Sequence, residues 1–174
     1  MEIERKFIPQ KDLPVKLCDY DCVLIEQAYI STNPVIRIRK KVLNPKKPSA
    51  TDARYILTVK SSGMMTRQEY ELELTEDAYT GLLPKVSGNV ITKYRYMIPL
   101  EDNLTLELDI FTDTFEGLCV AEIEFPDEET AKKYTPPAYL SEEVTFDTRF
   151  HNSSLSTMLP QDISDLISWV HEHN

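Results

Sequence analysis

Glu2, Glu4 and Lys6 stand at every second position of the opening segment MEIERKF, with Ile3, Arg5 and Phe7 interleaved. An extended strand sends alternate side chains to opposite faces, so one face of this segment is charged and of mixed sign. The pattern returns along the chain. VIRIRKK sets Arg37, Arg39 and Lys41 against Ile36 and Ile38, and YILTVKS sets Thr58 and Lys60 against Tyr55, Leu57 and Val59. RQEYELEL sets Arg67, Glu69, Glu71 and Glu73 against Tyr70, Leu72 and Leu74. ITKYRYM, LTLELDIF and VAEIEF contribute Lys93 and Arg95, Glu107 and Asp109, and Glu122 and Glu124. Period-two runs of this kind constrain the chain to a sheet with two chemically distinct faces.

The runs predict strands near residues 1–8, 23–31, 35–43, 54–61, 67–75, 90–98, 103–112 and 118–126, with a shorter one near 143–147. Helical patterns are fewer. TEDAYTGLLPK starts at Thr75 as N-cap and should end at Pro84; DEETAKKY, from Asp127, runs from acids to bases. The tail PQDISDLISWVHEHN spaces Ile163, Leu166, Ile167 and Val170 along one helical face, predicting a C-terminal helix at about 160–173. Leu43 to Ala53 reads as a Pro-, Lys- and Ser-rich loop. About eight strands with few helices imply an antiparallel sheet that is strongly curved or closed, and 174 residues fit one domain, 1–174.

A net charge of -10 argues against broad nucleic-acid binding, which needs a basic surface, and suits divalent cations. No apolar run is long enough for a membrane helix and no secretory leader is evident, so the expected location is cytoplasmic, without a membrane partner. Cys18, Cys22 and Cys119 lack the spacing of a zinc site and are expected as free thiols. With four glycines the chain carries no Gly-rich phosphate loop, and His171 and His173 are expected to be exposed. A homodimer and a monomer are both compatible with the sequence.

Two readings compete for the charged faces. One is an ordinary sheet with a solvated side. The other turns those faces inward, enclosing seven bases (Lys6, Arg37, Arg39, Lys41, Lys60, Lys93, Arg95) and nine acids (Glu2, Glu4, Glu69, Glu71, Glu73, Glu107, Asp109, Glu122, Glu124). The second is favoured because bases and acids are segregated by strand and the uncharged polar filler of solvated faces is nearly absent. Enclosed charges are costly unless paired or ligated. Clustered acids bind hard divalent metals, and clustered Arg and Lys bind polyanions. Together they describe a site for a metal-complexed polyphosphate.

On these motifs the chain resembles the CYTH-domain proteins of the triphosphate tunnel metalloenzyme superfamily, over residues 1 to about 158. The Glu-x-Glu-x-Lys signature is similar to Glu2, Glu4 and Lys6. The later family strands match Arg37 and Arg39, Lys60, RQEYELEL, Lys93 and Arg95, Glu107 and Asp109, and AEIEF. The segment EEVTFDTRFHNSSLS resembles the family's C-terminal signature through Asp147, Arg149 and Asn152. The resemblance implies a mainly β (α+β) fold, an eight-stranded antiparallel closed β-tunnel with helices packed outside. It further implies Mg2+ or Mn2+, two ions in all, and a small triphosphate substrate.

Carried onto this chain, the resemblance gives Lys6, Arg37, Arg39, Lys41, Lys60, Lys93, Arg95 and Arg149 as substrate-binding residues. It gives Glu2, Glu4, Glu69, Glu71, Asp109, Glu122 and Glu124 as metal ligands, and Glu4, Lys6, Arg39, Lys60 and Glu122 as the catalytic set. Inorganic tripolyphosphate is the favoured substrate, because the inward positions supply almost no apolar or stacking groups for a nucleoside. The alternatives are a class IV-type adenylate cyclase, a thiamine triphosphatase or nucleoside triphosphatase acting on thiamine triphosphate or ATP, and a non-catalytic polyphosphate- or nucleotide-binding module.

Overall fold

Alternation of apolar and charged residues draws the chain into strands, and the strands assemble antiparallel throughout. The fold is a computed structural model describing residues 3–43, 45, 53–60 and 69–174. In chain order the strands are β1 (Ile3–Pro9), β2 (Asp21–Thr32), β3 (Val35–Leu43), β4 (Ala53–Lys60), β5 (Glu69–Leu74), β6 (Ser87–Pro99), β7 (Thr105–Thr112), β8 (Cys119–Phe125) and β9 (Leu140–Glu143). The helices are α1 (Glu76–Leu82), α2 (Glu128–Lys133), α3 (Asn152–Leu155) and α4 (Pro160–His173). Thr75 caps α1 through its hydroxyl, which accepts from the Ala78 amide, and Asp127 caps α2 by accepting from Thr130. The Thr75 cap, the α2 polarity and the C-terminal helix were all expected; α1 gives way to a short 3-10 turn that contains Pro84.

The strand order is β5-β4-β3-β2-β6-β7-β8-β1-β9. The expected mainly antiparallel sheet forms, with the eight longer strands and the shorter ninth, and among the described residues no ladder joins β5 to β9. The short C-terminal strand pairs with β1 at 140–143, upstream of its expected place. Glu2, Arg67 and most of the expected loop from 43 to 53 lie outside the described residues.

Directly opposed residues of an antiparallel ladder share a face, so register tests the inward set strand by strand. Lys6 opposes Glu122, Glu122 opposes Glu107, Asp109 opposes Arg95, Gln27 opposes Arg39, Arg37 opposes Thr58, and Lys60 opposes Glu69. The charged residues therefore occupy one continuous face. The opposite face of β1, β7 and β8 packs Phe7, Leu106, Leu108, Ala121 and Ile123 with Ala131 of α2. The opposite face of β2, β3 and β4 packs Ala28, Ile38 and Tyr55 beneath Tyr79 of α1.

The charged face changes character along its length, which alternation alone did not show. Ile8, Tyr29, Ile91, Phe111 and Val120 have the same parity as the charges, yet they form a core with Phe150, Leu155, Ile163, Leu166 and Val170. So α4 does not cover the outside, as expected, but fills one end of the enclosed face. Its segment is anchored at Asn89, whose amide donates to Leu155 and Met158 carbonyls at 3.0 and 2.9 Å. Neighbouring Gly88 has φ +78°, and a Cβ there would lie 1.9 Å from the Ser156 carbonyl oxygen. The cavity is thus blind at this end.

If α4 is a structural plug, Leu166→Ala should cost about 2–5 kcal/mol, the usual range for emptying a buried leucine site. Urea unfolding measures this, and a loss below about 0.5 kcal/mol, typical of a surface position, would show that the helix is not part of the core.

Candidate active site

Arg95 on β6 is the hub of the acidic side. Its Nε and one terminal nitrogen each donate to Asp109 at 2.6 Å, and the second nitrogen also reaches Glu122 at 2.8 Å. The remaining terminal nitrogen donates to Glu107. Lys93, also on β6, pairs with Asp109, and both are nearly inaccessible. From β1, Lys6 donates to Glu122 at 2.6 Å and pairs with Glu4 at 2.8 Å. Four strands thus converge on a single ion network.

The network sets the protonation states. Burial would raise the Glu122 carboxyl, but Lys93, Arg95 and Lys6 overcome it and hold the group well below the usual carboxylate range. Burial also opposes the Lys6 and Arg95 charges, and in both cases neighbouring carboxylates prevail and raise the pKa. Burial pushes the Lys93 ammonium down against the pull of Asp109. Glu107 is raised by burial, with Arg95 opposing.

The basic side, on β2, β3 and β4, is treated differently. Arg37 is buried; it donates to the Thr58 hydroxyl at 3.0 Å and stands 3.8 Å from Glu69 and Glu71. Its Nε is buried and finds no partner among the described residues. Arg39 donates from Nε to Gln27 at 3.2 Å and, among the described residues, has no ion pair. Burial, then Arg37 and Arg95, lower its pKa to about 10, which leaves it cationic at neutral pH. Lys41 is lowered by burial and by Arg39. Lys60 pairs with Glu69 at 2.9 Å. Among the described residues, the positive charge of Arg39 on this side is not balanced by an ion pair.

Most of the predicted residues meet here: Glu4, Lys6, Arg37, Arg39, Lys41, Lys60, Glu69, Glu71, Lys93, Arg95, Asp109 and Glu122 share the cavity face, and Glu124 stands exposed opposite Glu4. Glu2 lies outside the described residues. Arg149 is not brought to the cluster. Its guanidinium pairs with Asp147 at 2.6 Å and lies 5.0 Å from the centre of the Trp169 ring on α4. Thr58 falls on the charged face as alternation placed it, though it was not among the expected site residues; Gln27 and Tyr29, also buried and of cavity parity, were missed. Burial raises the Tyr29 phenol against Arg37 and Arg39. Gln27 is uncharged, so a search for charge could not find it; tracing the parity of β2 would have. The expected lack of apolar cavity groups is also corrected, since buried Ile25 opposes both Lys41 and Lys93.

The family to which the fold points implies a divalent cation, and the donor set fits one. Glu107 directly opposes Glu122, and Glu4 directly opposes Glu124. Like charges so placed repel unless a cation lies between them, and all the donors are hard carboxylate oxygens. Arg95 and Lys6 neutralise these carboxylates here, and among the described residues no group of three or more acids is placed to hold a metal ion.

An antiparallel sheet with a segregated, enclosed charge face and a helical plug defines a CYTH-type fold. Inorganic triphosphatase of Nitrosomonas europaea is 33% identical over 91% of this chain and 99% of the relative. That of Acetivibrio thermocellus is 36% identical over 88% of this chain and 92% of the relative. The crystal structure of inorganic triphosphatase NE1496 superposes with a TM-score of 0.67 at 30% identity, over 92% of this chain and 97% of that one. PH1819 from Pyrococcus horikoshii shares the fold at 20% identity and a TM-score of 0.53, covering 99% and 89%. No family model matches the chain. The chain belongs to the CYTH superfamily of triphosphate tunnel metalloenzymes, among its inorganic triphosphatases.

Removing the hub charge should strand three carboxylates. Arg95→Met is expected to lose about 3–5 kcal/mol of stability near pH 7, the cost of an uncompensated buried charge, and less near pH 4, where the acids can protonate. In the wild type, the depressed Glu122 carboxyl contributes stability above the unfolded Glu pKa of about 4.3. That contribution fades as pH falls through the lower folded value. Urea titrations of both proteins at the two pH values check this; an Arg95→Met penalty that does not shrink in acid would contradict the network.

Proposed function

We propose that this chain hydrolyses inorganic tripolyphosphate to pyrophosphate and phosphate, using Mg2+ or Mn2+. The observation that carries the reading is the row of cations on β3, Arg37, Arg39 and Lys41, on the same sheet face as the carboxylate cluster of β1, β7 and β8; among the described residues Arg39 has no ion pair and the Arg37 Nε no partner. A linear polyanion supplies the negative charge this row lacks, and guanidinium forks match phosphate oxygens. The triphosphatase relatives support the same choice of substrate.

In this reading Arg37, Arg39, Lys41 and Lys60 bind the phosphate chain and hold it against the acidic side. Lys6 and Lys93, paired with carboxylates of the acidic side, balance charge as the bridging oxygen leaves. Glu4, Glu122 and Glu124, with Glu2, would hold one cation, and Asp109, Glu69 and Glu71 are the candidate ligands of a second. Bound there, divalent cations neutralise phosphate charge and acidify the attacking water. Water adds to the terminal phosphorus, the bridging P–O bond breaks, and pyrophosphate departs; no covalent enzyme intermediate is needed. The plugged end keeps the phosphate chain in the charged part of the cavity and away from bulk water on that side. Among the described residues no helix is long and apolar enough to cross a membrane, and a cytoplasmic enzyme acting on small molecules rather than nucleic acid fits the acidic composition.

Phosphate release is to be measured with tripolyphosphate, ATP, thiamine triphosphate and pyrophosphate, with Mg2+, Mn2+ or EDTA. Tripolyphosphate should give the highest kcat/KM, pyrophosphate should be poor, and EDTA should abolish turnover. Glu4→Gln and Glu122→Gln should each lower kcat about 100-fold or more. Cyclic AMP as the main product from ATP, or full activity in EDTA, would refute the assignment.

A further inference from the structure

Two of the three guanidinium groups on the charged face, those of Arg95 and Arg39, have opposite surroundings. Arg95 spends its donors on three carboxylates. Arg39, by contrast, meets a neutral amide. Gln27 lies directly opposite it in the β2–β3 ladder, is fully buried, and accepts from the Arg39 Nε at 3.2 Å. The Gln27 Nε2 in turn lies 3.5 Å from the Tyr29 hydroxyl, within the same buried row. An oriented Nε fixes the plane of the guanidinium, and its terminal nitrogens carry no ion pair among the described residues. Thr58 plays a parallel part for Arg37, with its hydroxyl accepting from the guanidinium and donating to Glu71 at 3.2 Å.

We propose that Gln27 is a positioning and specificity residue for the anion: it aims the Arg39 fork into the cavity and, being uncharged, leaves that positive charge available to a phosphate chain. A glutamate would make the same hydrogen bond in nearly the same volume, yet it would cancel the charge. Orientation and charge availability can therefore be separated by a near-isosteric change. The inference rests on the triphosphatase reading for the identity of the anion, but not on the hydrolytic step.

Gln27→Glu and Gln27→Met are compared with the wild type by steady-state kinetics, by calorimetric binding of tripolyphosphate without metal, and by thermal melting. Gln27→Glu should melt at or above the wild-type temperature, because it adds an ion pair to Arg39. Its KM and metal-free Kd should nevertheless rise about tenfold or more, the scale of one charge-assisted contact. Its kcat at saturation should stay within about threefold, since the loss falls on ground-state capture. Gln27→Met removes the orienting acceptor without adding charge and should raise KM by only a few fold. A folded Gln27→Glu with unchanged KM and Kd would overturn the proposal. If Gln27→Glu fails to fold, unchanged binding by Gln27→Met would do so. A wild type that binds tripolyphosphate without hydrolysing it, with binding weakened by Gln27→Glu, would support the role of Gln27 and remove the hydrolytic reading instead.

Discussion

Enclosing a charged sheet face is tolerable only if its charges balance across strands, and in this fold the balance is struck at Arg95. Its guanidinium joins carboxylates from β7 and β8, Lys6 ties β1 to the same Glu122, and Lys93 secures Asp109. An isolated buried ion would cost several kcal/mol; a saturated network converts that cost into a fixed arrangement of oxygens. The same network leaves the opposite wall free to remain cationic. Binding surfaces for a cation and for a polyanion can therefore coexist on one face of one sheet.

The division has a mechanistic consequence. Cations on the acidic wall are already committed, whereas on β3 Arg39 meets the neutral Gln27 and Arg37 meets Thr58, with Glu69 and Glu71 3.8 Å away. In the proposed reading a phosphate chain lies against β3 with its scissile end toward the carboxylates. Lys6, nearly buried and shared between Glu4 and Glu122, stands where an incoming cation would compete for the same oxygens.

Much of this was legible in the chain because period-two alternation survives burial. Lys6, Arg37, Lys93, Asp109 and Glu122 fall on the expected face because register fixes parity and a one-residue slip would invert it. Helix caps at Thr75 and Asp127 were legible for the local reason that their side chains satisfy first-turn amides. What alternation could not show is depth. Ile8, Tyr29, Ile91, Phe111 and Val120 carry the same parity as the charges but pack against α4, and only the tertiary position of that helix distinguishes them. Arg149 misled for a related reason: its neighbourhood is decided by Trp169 on a distant helix. Gln27 was invisible to a search for charge because its value lies in having none.

The central claim is that the anion wall and the carboxylate wall are separate. A crystal structure with tripolyphosphate bound tests it most directly. The account predicts phosphate oxygens against Arg37, Arg39, Lys41 and Lys60, with Arg95 still engaged by Asp109 and Glu107. A phosphate chain held mainly by Arg95, with the β3 guanidiniums turned away from it, would contradict the account.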